Sequence, residues 1–262
     1  MAHEFQAPDW RQHVMNWHDP HHTLEPLARE IAIIDQALDA LVKGSILPHK
    51  EYDHDKMLAH RQAVREHFDI PWTAITPRMQ RLLYALSAIA QPQTMVAVGI
   101  FCGNTFVSNA GAAIGPGACY HAQHVVGLEI RTKEADRARR NVLTLADPEH
   151  SQATENGFIT DEGTLVEVLG ADGLPWLRDY RGTIDLLYLD ADGPHGVWKS
   201  IYLTLLRAAE HILRPGSLVL AHNSVNDARN LADYLSYVRD PAHYSQSINM
   251  IVDDQGLEVS MR

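Results

Sequence analysis

The chain has 262 residues, 45% of them hydrophobic and 21% charged, an ordinary globular composition with enough apolar material for a sizeable core. Its formal net charge of -11 at pH 7 argues against a nucleic acid or an anionic membrane as a partner, because either requires a basic surface. No apolar run is long enough to span a bilayer, the amino-terminal segment lacks the layout of a signal peptide, and two cysteines form no disulfide framework. We therefore expect a cytoplasmic protein.

Residues 1–75 are predicted to form a helical extension. Apolar side chains recur at alternating steps of three and four residues between Leu24 and Leu41, which places them on one face of a helix. Thr23 is expected to cap the start of this helix and Gly44 to end it. The apolar face can pack on the rest of the chain, or it can form the helix–helix contact of a dimer.

A second helix is predicted at residues 55–68, and it is followed by a connector at residues 69–77. The connector contains two prolines, which interrupt helical structure.

Helical and strand-like segments alternate through residues 76–262. The strand-like segments are TMVAVG, HVVGLE, GTLVEVLG, IDLLYLD and GSLVLAH, and a helical pattern precedes each of them. This rhythm predicts an α/β fold with a Rossmann-like, doubly wound and mostly parallel sheet, joined by right-handed crossovers. The closing segment, INMIVDDQGLEVSMR, predicts a terminal antiparallel hairpin.

A glycine turn follows the first of these strands. In VGIFCGNT, Gly99 and Gly103 permit backbone conformations that let the chain approach a ligand closely. Their spacing differs from the G-x-G-x-x-G of dinucleotide sites, and no phosphate-binding lysine follows as in a P-loop. The next strand ends in Glu129, and a carboxylate at that point of a Rossmann-like sheet can bind ribose hydroxyls. Together these features indicate a cofactor that contains a nucleoside.

Polar side chains also follow two later strands. Asp190 and Asp192 come after one buried strand, whereas His222 and Asn223 end the next. Parallel strands deliver these groups to one edge of the sheet, where open α/β sheets bind ligands. Carboxylate, imidazole and amide oxygen are all metal-ligand types, and a histidine beside a carboxylate is equally the composition of an oriented general base. A hydrogen-bonded cluster without chemistry is the third interpretation. Asp185, at a strand start, is expected to be structural.

Taken in order, these motifs resemble the class I S-adenosylmethionine (SAM)-dependent methyltransferases, and in particular the cation-dependent O-methyltransferases of catechols and caffeoyl-CoA. The resemblance covers residues 76–262, with the glycine turn, GLEIRTKEADRARRNV, VLGADGLPWL, IDLLYLDADG and the helix and strand that lead to AHN. It implies an enzyme that uses SAM to methylate a hydroxyl group of a small acceptor, which is aromatic or a natural-product intermediate. The residues that it implies for cofactor binding are Gly99, Phe101, Gly103, Thr105, Glu129, Ala171, Asp172 and Asp190.

The resemblance also implies a divalent metal held by Asp190, His222 and Asn223, with Asp190 and His222 as the catalytic residues. If a metal is bound, it would chelate two vicinal oxygens of the acceptor and acidify one of them. Without a metal, His222 is the expected base, because imidazole titrates near neutral pH.

Three positions depart from the family pattern. Ala97 stands where an acid usually helps hold the methionine amino group, so Asp190 could accept from that group instead. His222 stands where the family has an aspartate, which weakens a Mg²⁺ site and favours a softer ion such as Zn²⁺ or Fe²⁺, or no ion. Gly193 replaces a lysine expected to deprotonate the hydroxyl. His195 and Lys199 are nearby substitutes, but a surface location is expected for each.

Other functions stay open at this stage. A SAM-dependent enzyme with another outcome, either aminocarboxypropyl transfer or cyclisation, is one alternative, and a non-catalytic SAM-binding subunit is another. A nicotinamide-dependent dehydrogenase is disfavoured by the glycine spacing. The expected partners are a small-molecule acceptor and a second copy of the chain in a homodimer, with Trp72, Trp176 and Trp198 as candidate lining of the acceptor pocket.

Overall fold

The computed structural model describes residues 4–72 and 75–262. Over these residues, the α-helices are α1 (Leu27–Lys43), α2 (His54–His67), α3 (Pro77–Ala90), α4 (Asn104–Ala110), α5 (Thr132–Leu143), α6 (Gly173–Asp179), α7 (Ile201–Ala209) and α8 (Ala232–Val238). The strands are β1 (Glu4–Gln6), β2 (Thr94–Val98), β3 (His124–Leu128), β4 (Ser151–Ala153), β5 (Gly157–Thr160), β6 (Leu165–Leu169), β7 (Ile184–Leu189), β8 (Leu213–His222), β9 (Gln246–Ile251) and β10 (Leu257–Met261).

All of these strands belong to one sheet, in the order β1-β9-β10-β8-β7-β2-β3-β6-β5-β4. The central strands β8, β7, β2, β3 and β6 run parallel, whereas β10 pairs antiparallel with both β8 and β9. The predicted doubly wound sheet and terminal hairpin are therefore confirmed. The opposite edge was not predicted: β5 and β4 extend it as antiparallel strands, and β4 lies within a segment that reads as a loop in the sequence.

Apolar side chains fill both faces of the sheet. In β2 all five residues are buried, and alternate side chains contribute to different core clusters. Met95 and Ala97 pack with α1, α2, α3 and α4, whereas Val96 and Val98 pack with α6, α7 and α8. This is why the central strands read as continuous hydrophobic runs rather than as alternating ones.

The amino-terminal helices pack on α3. Along α1, Ile34, Leu38 and Leu41 are fully buried, so much of the periodic apolar face is covered within the chain. The predicted end at Gly44 is confirmed, but the predicted cap at Thr23 is wrong because α1 begins later, after Pro26. The helix at residues 55–68 is α2, and the connector includes positions 73 and 74, which lie outside the described residues. A homodimer stays a prediction, as does a domain boundary at residue 75.

A buried ionic network joins the amino-terminal helices to α3. Glu30 of α1 accepts two hydrogen bonds from Arg61 of α2, at 2.9 and 2.7 Å, and another from Arg81 of α3. All three side chains are at most 4% exposed. The amino-terminal segment also contributes β1, which pairs parallel with β9 and was missed because three residues carry too little pattern. Within the described ranges, no helix is long and apolar enough to cross a membrane.

Candidate active site

The glycine turn and the end of β7 meet where the strand order changes direction. β2 lies between β3 and β7, and the chain builds outward from it on both sides, which is the position where open α/β sheets bind ligands. Gly99 follows β2 with a φ of +83°, and a Cβ placed there would lie 2.4 Å from the backbone N and Cα of Ala191. Gly99 is therefore needed both for a left-handed turn and for the close packing of two strand ends.

Glu129 directs its carboxylate at this turn. Its Oε2 accepts a hydrogen bond from the backbone N–H of Phe101 at 2.8 Å, while Oε1 accepts from the backbone and side chain of Arg131 at 3.0 and 3.2 Å. Glu129 is 4% exposed, but its neighbour Ile130 is 63% exposed, an apolar surface beside the carboxylate. Phe101 has a φ of +49°, so this part of the turn is held in a conformation that few side chains adopt.

The remaining predicted cofactor residues surround the same edge. Gly103, with a φ of +91°, is the N-cap of α4, and Thr105 lies in the first turn of that helix, where it interacts with Tyr188. The backbone N–H of Ala171 donates to the carbonyl of Glu129 at 3.1 Å. Asp172 caps α6 by accepting from Leu174 N at 2.9 Å. The structure brings these residues together, and their contact with a cofactor stays a prediction.

Asp190, directly after β7, is the centre of a buried polar cluster. Its Oδ1 accepts from Lys199 Nζ at 2.9 Å and lies 3.5 Å from the Tyr202 hydroxyl. Its Oδ2 lies 3.2 Å from His222 Nδ1 and accepts from the Tyr188 hydroxyl at 3.3 Å. Burial raises the pKa of Asp190, but attraction to the Lys199 ammonium and the hydrogen bonds with Lys199 and His222 outweigh burial and lower it to about 2. The carboxylate is therefore ionised at neutral pH.

His222 ends β8 and is 5% exposed. Its Nδ1 faces Asp190, whereas its Nε2 is buried and has no hydrogen-bond partner among the described residues. Buried polar atoms in proteins are usually paired, so the unpaired ring nitrogen of His222 requires an explanation, such as a catalytic role or a bound water or ion. Asp253, in the turn between β9 and β10, is a second carboxyl group close to His222, and sequence reasoning missed it.

The amide nitrogen of Asn223 is held by residues outside the cluster. The φ of Asn223 is +68°, and its side-chain amide donates to Gln255 at 2.9 Å and to Asn226 at 3.2 Å. Asp190 and His222 of the predicted metal set therefore meet, whereas the amide nitrogen of Asn223 bonds to Gln255 and Asn226. Among residues 4–72 and 75–262, no group of three or more histidine, cysteine, aspartate or glutamate side chains is arranged to hold a metal ion.

Lys199 corrects the expectation of a surface location. It is 8% exposed and reaches Asp190 because residues 193–198 fold back on themselves, with Gly193 N donating to Trp198 O at 3.0 Å. Burial lowers the pKa of Lys199, but attraction to Asp190 and Asp192 outweighs it and the pKa is raised. The only feature of the sequence that could have predicted this contact is that Lys199 follows Asp190 by nine positions. His195 is exposed, as expected.

The position of the Lys199 ammonium shows whether these residues fit a divalent ion. Both oxygens of Asp190 already accept hydrogen bonds: Oδ1 accepts from the positively charged Lys199 ammonium, and Oδ2 accepts from His222 Nδ1. A divalent ion needs free oxygen ligands, and a fixed positive charge on the same carboxylate repels it. The donor set therefore does not fit the divalent metal that the sequence resemblance implied.

The predicted tryptophans take different positions. Trp72 stacks on Trp17 with ring centroids 4.9 Å apart and lies equally close to Phe101 of the glycine turn. Trp176 stacks on Tyr180 along α6, whereas Trp198 is 47% exposed. Only Trp72 among them contacts the glycine turn directly. Asp185 is structural, as expected, since it accepts from the backbone at the start of β2.

Solved structures of methyltransferases resemble most of the chain. The O-methyltransferase TomG from Streptomyces achromogenes, which is involved in tomaymycin synthesis and was solved with SAM, is 18% identical; the match covers 91% of this chain and 99% of TomG with a TM-score of 0.51. The O-methyltransferase from Bacillus cereus, solved with S-adenosylhomocysteine (SAH), is 16% identical over 87% of this chain and 100% of that chain, with a TM-score of 0.51. The SAH-bound methyltransferase PaMTH1 from Podospora anserina is 13% identical over 92% and 99% of the two chains, with a TM-score of 0.53.

No protein-family model and no curated protein sequence matches the chain. Likeness at these low identities establishes architecture, and it agrees with the order of the motifs in the sequence and with the strand order of the sheet. The chain therefore has the Rossmann-like fold of these solved methyltransferase structures.

Proposed function

We propose that the protein is a SAM-dependent methyltransferase that methylates a hydroxyl group of a small-molecule acceptor. The observation that carries this proposal is the buried His222, which faces Asp190 through Nδ1 and leaves Nε2 without a partner. It lies at the same sheet edge as the glycine turn and Glu129. The residues proposed for nucleoside binding and the proposed base thus lie at one edge of the sheet.

The residues at this edge fit an adenosyl group. The Glu129 carboxylate accepts three hydrogen bonds, one of them from the exposed side chain of Arg131, so it retains capacity for ribose hydroxyls. The exposed Ile130 offers an apolar surface for a purine ring, and Ala171 is fixed beside it through its bond to the Glu129 carbonyl. Solved structures with this fold hold SAM or SAH, which supports the same cofactor here.

The proposed chemistry needs one base and a fixed orientation. SAM supplies an electrophilic methyl group on a positively charged sulfur. His222 Nε2 accepts the proton of the acceptor hydroxyl while the oxygen–methyl bond forms and the methyl–sulfur bond breaks. Asp190 holds the ring through Nδ1–H and stabilises the imidazolium that results. Holding the acceptor in line with the methyl group supplies much of the remaining rate.

A binding experiment tests the cofactor half of the proposal. We expect SAM and SAH to bind in isothermal titration, and Glu129→Gln to weaken SAM binding by roughly 10- to 100-fold through loss of hydrogen bonds to a charged acceptor. Glu167→Gln is the matched control, because Glu167 lies within β6 and contacts His124 at the start of β3, away from the carboxyl end of that strand. Failure of both SAM and SAH to bind the wild-type protein would refute the proposal.

A product experiment tests the reaction. The protein is incubated with SAM and a panel of phenols and alcohols, and the masses of the products are measured by mass spectrometry. A mass gain of one methyl group is expected. A gain of one aminocarboxypropyl group would replace the proposed outcome, and SAM binding without any product from the panel would favour a non-catalytic subunit.

A further inference from the structure

The residues around Asp190 do not fit a divalent ion, so the positive charge at this site comes from another group. We propose that the Lys199 ammonium is the built-in cation of this site, that it takes the position of a divalent ion, and that the acceptor consequently needs only one hydroxyl group. The assignment of Lys199 to the cation position rests on geometry alone. The part about the acceptor rests on the proposed methyltransferase function.

The ammonium is surrounded by oxygen atoms, as a bound cation would be. Lys199 Nζ donates to the Asp190 carboxylate at 2.9 Å and to the Asp190 carbonyl at 2.9 Å, and Asp192 Oδ1 lies 3.5 Å away. An ammonium group has three N–H donors, so these three oxygens match its capacity. The Tyr202 ring adds a cation–π contact, with its centroid 5.6 Å from Nζ.

The loop before Lys199 fixes the ammonium in this position. Residues 193–198 reverse direction through Val197 N donating to Pro194 O at 2.8 Å and through positive φ values of +88° at Gly196 and +45° at Trp198. A Cβ on Gly193 would lie 2.7 Å from a methyl carbon of Val197, so the absence of a side chain there permits the reversal. The position of the family lysine is thus occupied by a glycine that lets a later lysine reach Asp190.

This arrangement changes which acceptors the site selects. A divalent ion selects vicinal oxygens because it chelates both of them. Lys199 donates two hydrogen bonds to Asp190 and forms an ion pair with Asp192, so the ammonium is not free to bind two acceptor oxygens in this way. A single hydroxyl group beside His222 Nε2 is sufficient, and phenols or alcohols without a neighbouring hydroxyl are the inferred acceptor class.

A metal-binding experiment tests the cation assignment without any acceptor. Free Mn²⁺ is measured by electron paramagnetic resonance during titration of the wild-type, Lys199→Ala, Lys199→Arg and Lys50→Met proteins. Lys50 is the matched control, because its ion pair with Asp39 is far more exposed. We expect Lys199→Ala to bind Mn²⁺ about tenfold more tightly than wild type, and the other two variants to behave like wild type. Circular dichroism checks that each variant is folded.

The opposite results overturn the assignment. Wild-type protein that binds Mn²⁺ as tightly as Lys199→Ala, or a Lys199→Arg variant that gains the same affinity as Lys199→Ala, would show that the ammonium does not occupy the cation position. These outcomes do not depend on SAM, so they are distinct from a failure of the proposed function.

Turnover experiments test the acceptor class. With metal-free protein and excess chelator, we expect unchanged turnover of an acceptor with one hydroxyl group, and comparable turnover of its vicinal-diol counterpart. A preference for the diol that appears only with added Mg²⁺ would overturn this part. If the protein binds no SAM, the proposed function fails instead, and the Mn²⁺ result still decides the role of Lys199.

Discussion

Replacing Gly99 by alanine is expected to damage both stability and activity, for a reason that can be measured in the structure. The residue has a φ of +83°, and an added Cβ would lie 2.4 Å from two backbone atoms of Ala191. The left-handed backbone alone costs an alanine about 1–2 kcal/mol. Relief of the collision requires the chain after β7 to move by about 1 Å, and overpacking of this kind costs a further 1–3 kcal/mol or so.

Gly163→Ala is the matched control for this prediction. Gly163 has a φ of +90°, but nothing lies within 4 Å of a Cβ placed there. The control therefore carries the backbone strain without the collision. In urea unfolding followed by circular dichroism, we expect Gly99→Ala to lose about 1–3 kcal/mol more than Gly163→Ala.

Activity gives a second measurement of the same displacement. Ala191 follows Asp190, so a shift of about 1 Å moves the carboxylate that orients His222, and misplacement of that size can lower turnover by about 100-fold. We expect Gly163→Ala to leave turnover unchanged. Equal unfolding free energies and equal turnover for the two variants would refute the argument that Gly99 is required by its contact with Ala191.

Three further predictions concern single side chains. His222→Asn keeps a donor toward Asp190 but removes Nε2, so kcat should fall by about 10²–10⁴-fold while SAM affinity measured by titration stays the same; unchanged kcat would exclude His222 as the base. Glu30→Gln leaves Arg61 and Arg81 without their buried carboxylate and should cost about 3–5 kcal/mol in urea unfolding, against less than about 1 kcal/mol for the exposed-pair control Asp39→Asn. Burial raises the pKa of Glu30, but its hydrogen bonds with Arg61 and the charges of both arginines outweigh burial and hold the pKa below the ordinary 4.5. The stabilisation from Glu30 is therefore complete above pH 4.5 and lost as the pH falls through the lowered pKa, so the difference between wild type and Glu30→Gln should narrow in acid; a constant difference would contradict this sign.

Much of the fold could be predicted from local pattern. The strands β2, β3 and β7 and the second half of β8 are mostly apolar and buried. Gly99, Glu129 and Asp190 directly follow the first three strands, and His222 ends β8, so these residues mark the ligand edge. The meeting of Asp190 with His222 also follows from this logic, because neighbouring parallel strands bring their carboxyl ends to the same edge. The cap of α1 and the strand β1 were not predicted correctly, since short segments and helix ends carry little periodicity.

The sequence alone determined the alternation of the central strands with their helices, the apolar faces that form the two core layers, and the polar groups that follow the strands, because side-chain periodicity records which faces are buried. It did not predict β1, β4, β5 or the short helix α8. Only the tertiary structure decided that Lys199 reaches Asp190, that Asn223 turns to Gln255, and that Gly99 packs on Ala191. These contacts depend on how a loop reverses and on how closely two strand ends approach. Such distances arise from the packing of segments that are separate in the chain, and no local pattern of residue types encodes them.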